Sequence, residues 1–264
     1  MAHASVAGFR LYYEEAGAGA PVVLIAGLGA DAHFWYKQVP ALAGRFRVLT
    51  FDNRDSHRSD KVDATYTVAD MAGDVRGLLD ALEVEAAHVV GASLGGFIAQ
   101  EFAVAHPERV RRLILCGTSF GGATAEPIPP ATLTAMMGRT GDAERDLRAF
   151  LPLQIATDYL ETHAAEVDDY VAWRVAHPQS LPAYQRQLTA AVAHDAAGRL
   201  GGLRMPVMIL HGAHDRVVPA RNAELLASRI PGARLRVFPE AGHLFLWEAA
   251  EDANRTIIEF LMSG

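Results

Sequence analysis

The 264-residue sequence predicts an α/β protein in which a mostly parallel, doubly wound sheet is interrupted by an inserted helical lid. In the first half, short continuous apolar runs alternate with segments of helical periodicity. Apolar runs of this kind suit parallel strands that are covered on both faces. Only helical spacing follows from about residue 120, and the alternation resumes after residue 202. Strand–helix alternation on both sides of a helical segment favours one α/β domain with an insertion.

The strands are predicted from apolar runs and the helices from repeats at i, i+3 and i+4. The predicted strands are residues 9–14, 21–26, 47–52, 86–90, 110–116, 206–210 and 233–238. The clearest helix begins after Thr67, which forms a plausible capping pair with Asp70, and continues to about Leu82. Further helices are predicted over 94–103, 220–230 and 246–262.

The lid is bounded by breaker residues. Gly121-Gly122 and the prolines at 127–130 mark its start, and Gly201-Gly202 marks the return to the core. We therefore expect a core domain made of residues 1–119 and 203–264, with the lid at 120–202.

Composition and charge narrow the possible partners. The chain has 24 basic and 31 acidic residues, a net charge of −7, and no Lys/Arg run, which argues against nucleic acid. No apolar run approaches the length of a membrane span, and the start of the chain does not resemble a targeting segment. The single cysteine, Cys116, excludes an intramolecular disulfide and lies in an apolar run typical of a buried, inert thiol. We expect a soluble cytoplasmic protein.

Residues 91–95 read Gly-Ala-Ser-Leu-Gly and lie between a predicted strand and a predicted helix. At such a strand-to-helix turn the serine backbone is strained and its hydroxyl projects from the end of the sheet. The flanking glycines leave room for the neighbouring strand and helix. Ser93 is therefore the candidate nucleophile.

A serine hydroxyl needs a base, and the base needs an acid to orient it. His243 follows the last predicted strand and Asp215 follows the strand before it, so both lie at the carboxyl edge of the sheet. The alternatives are a loop histidine that caps the next helix and an aspartate that caps the helix ahead of Pro219. His211 and His214 stand close to Asp215, but their spacing is poor for one metal ion and no third ligand is evident. We expect no metal and no cofactor.

The negative charge that develops on a substrate carbonyl oxygen requires backbone N–H donors. One expected donor is Leu94, at the start of a helix, and the other is Leu28, in the glycine-rich turn after an early strand. A dinucleotide-binding loop is a weak alternative for this turn, because no third glycine follows at the required spacing.

These motifs give the chain a resemblance to the α/β-hydrolase family over nearly its whole length, with similarity to small lid-bearing esterases and lactonases of the 3-oxoadipate enol-lactonase type. The matching segments are Gly27-Leu28-Gly29, Asp52-Asn53-Arg54, the serine turn, His106-Pro107-Glu108-Arg109-Val110, His211-Gly212-Ala213-His214-Asp215 and Ala241-Gly242-His243. The resemblance implies the α/β-hydrolase fold, a catalytic triad of Ser93, Asp215 and His243, and oxyanion donors at Leu28 and Leu94.

The chain departs from this family at two places. Ala26 stands where many relatives have histidine, and Asp55 and His57 stand where many have glycine. The two polar residues either narrow or polarise the rim of the pocket, or they are solvated loop residues. We favour the solvated loop.

The sequence thus predicts hydrolysis of a small or medium carboxylic ester or lactone through an acyl-enzyme. The alternatives are a C–C bond hydrolase of the β-diketone type with the same triad, and a ligand-sensing protein with slow turnover. The expected partner is a small-molecule substrate, with a homodimer left open. Candidate pocket residues are mostly apolar: Phe34, Trp35, Phe120, Met136, Met137, Trp173, Tyr184 and Leu244. Such a pocket, together with the scarcity of lysine, argues against a polyanionic substrate.

Overall fold

A computed structural model describes residues 2–263 and contains one eight-stranded sheet. The strands are β1 (Ala2–Val6), β2 (Phe9–Ala16), β3 (Ala20–Ile25), β4 (Phe46–Phe51), β5 (Ala87–Ala92), β6 (Val110–Cys116), β7 (Val207–Gly212) and β8 (Arg234–Phe238). Their order is β1-β2-β4-β3-β5-β6-β7-β8. Strands β3 to β8 are parallel, whereas β2 pairs antiparallel with both β1 and β4. The predicted mostly parallel sheet is confirmed.

Strand β1 was not predicted from the sequence. It forms a hairpin with β2 through Ala7 and Gly8, which both have positive φ, at 48° and 89°. Two-residue hairpin turns of this kind favour Asn-Gly or Asp-Gly. Alanine is not typical of the first position of such a turn, so the sequence does not predict this hairpin.

Helices cover both faces of the sheet. They are α1 (Gln38–Ala43), α2 (Val68–Ala81), α3 (Leu94–Ala105), α4 (Pro130–Met137), α5 (Ala143–Gln154), α6 (Thr157–Thr162), α7 (Ala164–Ala176), α8 (Leu181–Val192), α9 (Arg221–Arg229), α10 (Phe245–Glu248) and α11 (Ala250–Met262). One buried cluster joins α2, α3 and α9 to the sheet, and a second joins α1, α10 and α11 to its other face. The capping box of Thr67 and Asp70 is present. The single helix predicted over 246–262 is instead two helices, because the backbone at Ala249 (φ −120°, ψ 38°) leaves the helical region.

The long connection between β6 and β7 contains helices α4 to α8, within the predicted lid. Residues 117–206 are all described, and they hold helices, turns and one isolated antiparallel bridge between Gly121 and Asp195. This bridge brings the two ends of the lid together.

The strand order reverses direction beside β3, since β4 lies on one side of β3 and β5 on the other. In open α/β sheets, ligands bind outside the carboxyl ends of the strands at such a switch point. The register pairs Ile25 of β3 with Gly91 of β5, so the segments that follow these strands emerge side by side. Gly212 of β7 likewise pairs with Phe238 of β8, which aligns the loops carrying Asp215 and His243.

Candidate active site

Ser93 occupies a strained turn between β5 and α3. Its backbone lies at φ 54° and ψ −117°, outside the regions that non-glycine residues normally adopt, and its N–H donates to Cys116 O at 2.9 Å. A Cβ at Gly91 would lie 2.2 Å from Gly95 O, and a Cβ at Gly95 would lie 2.0 Å from Ile25 O. Both glycines are therefore required by the close approach of the backbone, and they hold the serine in this conformation.

Asp215 and His243 form a buried pair. His243 Nδ1 lies 2.7 Å from Asp215 Oδ2, while Asp215 Oδ1 accepts the N–H groups of Val217 and Val218, each at 2.8 Å. Burial alone raises the pKa of Asp215, but the charges and hydrogen bonds of His243 and His211 outweigh it and hold this pKa well below its usual range. Asp215 is thus an ionised acceptor that fixes the orientation of the His243 ring.

His211 is the second histidine near Asp215, and it is fully buried. Its Nε2 lies 3.2 Å from Asp215 Oδ2 and 2.8 Å from Val218 O. The second contact requires Nε2–H as the donor, so His211 supports the aspartate and holds the following loop.

Ser93 and His243 line the same cavity. Asp215 engages Nδ1 of His243, which leaves Nε2 as the ring atom available to a serine hydroxyl. Within residues 2–263, Ser93 Oγ forms no hydrogen bond with His243, so the Asp215–His243 half of the expected relay is formed and the Ser93–His243 half is not. Catalytic hydrogen bonds are often long before substrate binds.

The amides of Leu28 and Leu94 donate to no other residue in the described part of the chain. Leu94 is the first residue of α3, where helix N–H groups lack internal partners. The neighbouring Gly29 N–H is different, because it donates to Gln187 Oε1 at 3.1 Å. Gln187 is fully buried in α8 and also donates to Arg54 O and Ser56 Oγ, so the lid holds the loop that carries Leu28.

The cavity contains some of the expected pocket residues and lacks others. Phe34, Met136, Tyr184 and Leu244 line it, together with Leu28. Trp35 and Phe120 are instead fully buried in the core, because each packs among residues of one sheet face. Met137 is 70% exposed on the far side of α4.

Trp173 also lies outside this cavity. Its ring stacks on His33 at 4.0 Å between centroids, and its Nε1 donates to Asp31 Oδ2 at 3.1 Å. The indole therefore packs the lid against the segment after β3 and does not face the cavity with Ser93.

Two arginines of the lid, Arg139 and Arg174, line the cavity but are not apparent from the sequence. Arg139 lies in the connection between α4 and α5, and Arg174 lies in α7, where charged residues usually mark a solvated face; neither position therefore carries a signal in one sequence. The cavity is consequently less apolar than the sequence predicts.

The interpretation of Asp55 and His57 as solvated loop residues is wrong. Both side chains are buried, at 0% and 1% exposed, and both backbones have positive φ, at 67° and 24°. Positive φ favours glycine, so a side chain at either position carries a cost in backbone strain.

Asp55 joins the core to the lid. Its carboxylate accepts two hydrogen bonds from the Arg186 guanidinium of α8, at 2.7 and 2.8 Å, and further ones from Tyr66 Oη and Val62 N. Burial raises the pKa of Asp55, but these donors outweigh it and lower the pKa below its ordinary value. Hereafter the Asp55–Arg186 pair is called the lid clamp.

His57 lies 3.7 Å from Asp31 by its Nε2, and neither ring nitrogen has a hydrogen-bond partner among the described residues. Burial, followed by the positive charge of Arg174, lowers the pKa of His57 to about 4, although Asp31 opposes this shift. The imidazole is therefore neutral near neutral pH.

Within residues 2–263, no group of three or more histidine, cysteine or acidic side chains is arranged to hold a metal ion. Over the same residues, no helix combines the length and apolar character that crossing a membrane requires. Cys116 is buried and free, and burial raises the pKa of its thiol.

Comparison with known proteins identifies the fold. A family model for the alpha/beta hydrolase fold matches residues 20–250. A putative carbamate hydrolase of Azorhizobium caulinodans is 32% identical over 257 residues, covering 95% of this chain and 94% of that protein. A 2-hydroxy-6-oxo-6-phenylhexa-2,4-dienoate hydrolase of Burkholderia cepacia is 30% identical over 272 residues, with coverage of 98% and 93%. The crystal structure of an enol-lactonase from Burkholderia xenovorans LB400 is similar with a TM-score of 0.89 and 29% identity, covering 99% of this chain and 100% of that one. The family resemblance and the fold class are confirmed.

Proposed function

Since this chain belongs to the α/β-hydrolase family, and is a hydrolase, we propose that it cleaves a small or medium carboxylic ester or lactone with Ser93 as nucleophile. His243 is the general base and acid, and Asp215 orients it. The observation that carries this proposal is the 2.7 Å contact between Asp215 and His243 beside the cavity that Ser93 also lines.

In the proposed reaction, Ser93 Oγ attacks the carbonyl carbon while its proton passes to His243 Nε2. The oxyanion that forms accepts hydrogen bonds from the Leu28 and Leu94 amides. His243 then donates the proton to the departing alkoxide, and the acyl group remains on Ser93. A water molecule, activated by the same imidazole, releases the acid and restores the hydroxyl.

Hydrolysis of a C–C bond beside a carbonyl group is the second candidate, because one of the similar proteins is named as a dienoate hydrolase. The same serine, histidine and aspartate serve both reactions. The two candidates differ in the group that leaves, which is an alkoxide for an ester and a carbanion equivalent for a β-diketone.

A substrate panel tests the proposal. We expect purified protein to hydrolyse short para-nitrophenyl esters or simple lactones, and Ser93→Ala to lower kcat by at least about 10⁴-fold without lowering the thermal midpoint. The matched control is Ser228→Ala, at a serine of α9 whose hydroxyl donates to Leu225 O. If β-diketones are cleaved and esters and lactones are not, the C–C candidate replaces the first. If Ser93→Ala keeps its activity on esters, the nucleophile is elsewhere.

A further inference from the structure

Two guanidinium groups without carboxylate partners lie in the cavity that contains Ser93. Arg174 is 6% exposed; its Nη1 donates to Tyr170 Oη at 3.3 Å, and its Nε has no partner. Arg139 is half-buried and lies over the Tyr184 ring, 4.1 Å from its centroid, and it donates no hydrogen bond within residues 2–263. Across residues 2–263, neither side chain forms an ion pair.

Two positive charges placed together without a counter-charge are electrostatically unfavourable. Arginine stays protonated, and a buried charge is normally paired because the loss of hydration is otherwise uncompensated. Burial lowers the pKa of Arg139, and repulsion from the positive charge of Arg174 lowers it further. A ligand with a negative charge would supply the missing partner.

The neighbouring carboxylates form no ion pair with either arginine within residues 2–263. Asp31 accepts the Trp173 indole N–H on Oδ2, while its buried Oδ1 has no partner among these residues, and Asp146 accepts the amides of Thr140 and Gly141. Both still interact with the arginines at longer range, Asp31 with Arg174 and Asp146 with Arg139. Because they offset part of the positive charge, a single negative charge balances the cavity better than a dianion does.

We propose that Arg139 and Arg174 bind a carboxylate of the substrate, so that the enzyme acts on acidic compounds with an apolar chain between the carboxylate and the scissile bond. A planar carboxylate matches the paired donors of a guanidinium. Phe34, Met136 and Leu147 line the same cavity and suit the apolar chain. This inference names the substrate class of the proposed function and depends on it for the reaction, but not for binding.

The proposed carboxylate site can be tested by comparing the hydrolysis of two esters of equal chain length, mono-para-nitrophenyl adipate and para-nitrophenyl hexanoate. We expect kcat/KM to be higher for the acidic ester. Arg174→Met and Arg139→Met should each reduce the ratio of the two kcat/KM values, acidic ester over hexanoate, about 10- to 100-fold. The matched control is Arg148→Met, at an exposed arginine of α5 paired with Glu144 and Asp168, and it should not alter the ratio.

Binding separates a failure of this inference from a failure of the proposed reaction. Titration calorimetry with Ser93→Ala should detect adipate but not adipamide, and the signal should be lost when Arg174→Met is added. If the wild type hydrolyses neither ester while this binding pattern is found, the esterase proposal fails and the carboxylate site stands. If inorganic phosphate binds and adipate does not, the proposal of a carboxylate is overturned.

The stability of the variants excludes a purely structural role. Removing an unpaired buried charge should leave the thermal midpoint of ligand-free Arg174→Met equal to or above that of the wild type. A lower midpoint, together with equal losses on both esters, would overturn the proposal. Arg139→Met provides an independent second variant with the same expectation.

Discussion

The carboxyl edge of the sheet and the contact between lid and core are built in different ways. At the edge, Ser93, Asp215 and His243 each follow a strand, and the parallel register alone brings them together. At the lid contact, Asp55 meets Arg186, which is 131 positions away, and no strand pairing aligns them. The edge thus depends on local backbone geometry, whereas the lid depends on buried polar pairs. Variants in the first region should affect turnover, and variants in the second should affect stability.

Asp215→Asn should produce the largest effect. The asparagine Oδ1 can still accept the amides of Val217 and Val218, but its Nδ2 would face His243 Nδ1 with a donor. The imidazole would then carry its proton on Nε2 and could not accept one from Ser93. We expect kcat on a para-nitrophenyl ester to fall about 10³- to 10⁴-fold with little change in the thermal midpoint.

The control for this variant is Asp168→Asn, at an exposed carboxylate of α7 that pairs with Arg148. It should leave kcat unchanged. Activity of Asp215→Asn within about tenfold of the wild type would disprove the proposed role of Asp215.

Arg186→Met should produce the opposite result. It leaves the Asp55 carboxylate buried with Tyr66 Oη and Val62 N as its remaining donors. Removing one partner of a buried ion pair lowers stability by about 3 to 5 kcal/mol. We expect a loss toward the lower end in urea unfolding, since the Arg186 side chain is 20% exposed.

The matched control is again Arg148→Met, whose exposed ion pairs should contribute less than about 1 kcal/mol. A double-mutant cycle with Asp55→Asn isolates the lid clamp, because the second substitution should cost little once the first is made. Equal losses in Arg186→Met and Arg148→Met would show that the lid clamp contributes no more to stability than an exposed ion pair.

This contrast explains what could be predicted from the sequence. The serine turn and the capping pair of Thr67 and Asp70 depend on neighbours within a few positions, so their signals survive in one sequence. Asp215 and His243 are predictable for a related reason. Each follows a parallel strand, and the carboxyl ends of parallel strands meet at one edge of the sheet. Arg139 and Arg174 have no such signal, since only the tertiary packing of the lid places these two charges at the cavity. The apolar ring of Trp173 predicts a place in the pocket. Its N–H instead donates to the buried carboxylate of Asp31, which holds the ring outside the cavity.

The smallest effect, and the one specific to pH, is expected at His57, whose pKa burial lowers to about 4. The unfolded chain, with a histidine pKa near about 6.5, binds the proton more readily than the folded protein does. The stability that the neutral His57 contributes is therefore fully present above about pH 6.5. It is lost as the pH falls from about 6.5 toward 4, and the free energy of unfolding decreases by about 2 to 3 kcal/mol. The charged groups that face the ring include Asp31, Arg174 and Lys61, so their charges oppose one another.

His57→Asn should flatten this part of the stability curve, since asparagine tolerates positive φ and does not titrate. Urea unfolding at about pH 7 and about pH 4.5 measures the difference, with His163→Asn, at an exposed histidine, as control. His88, buried against Phe46, has a pKa lowered to about 4 by burial and accounts for part of the slope that remains. If the variant and the wild type lose equal stability between these two pH values, the buried neutral state of His57 contributes nothing to stability at neutral pH.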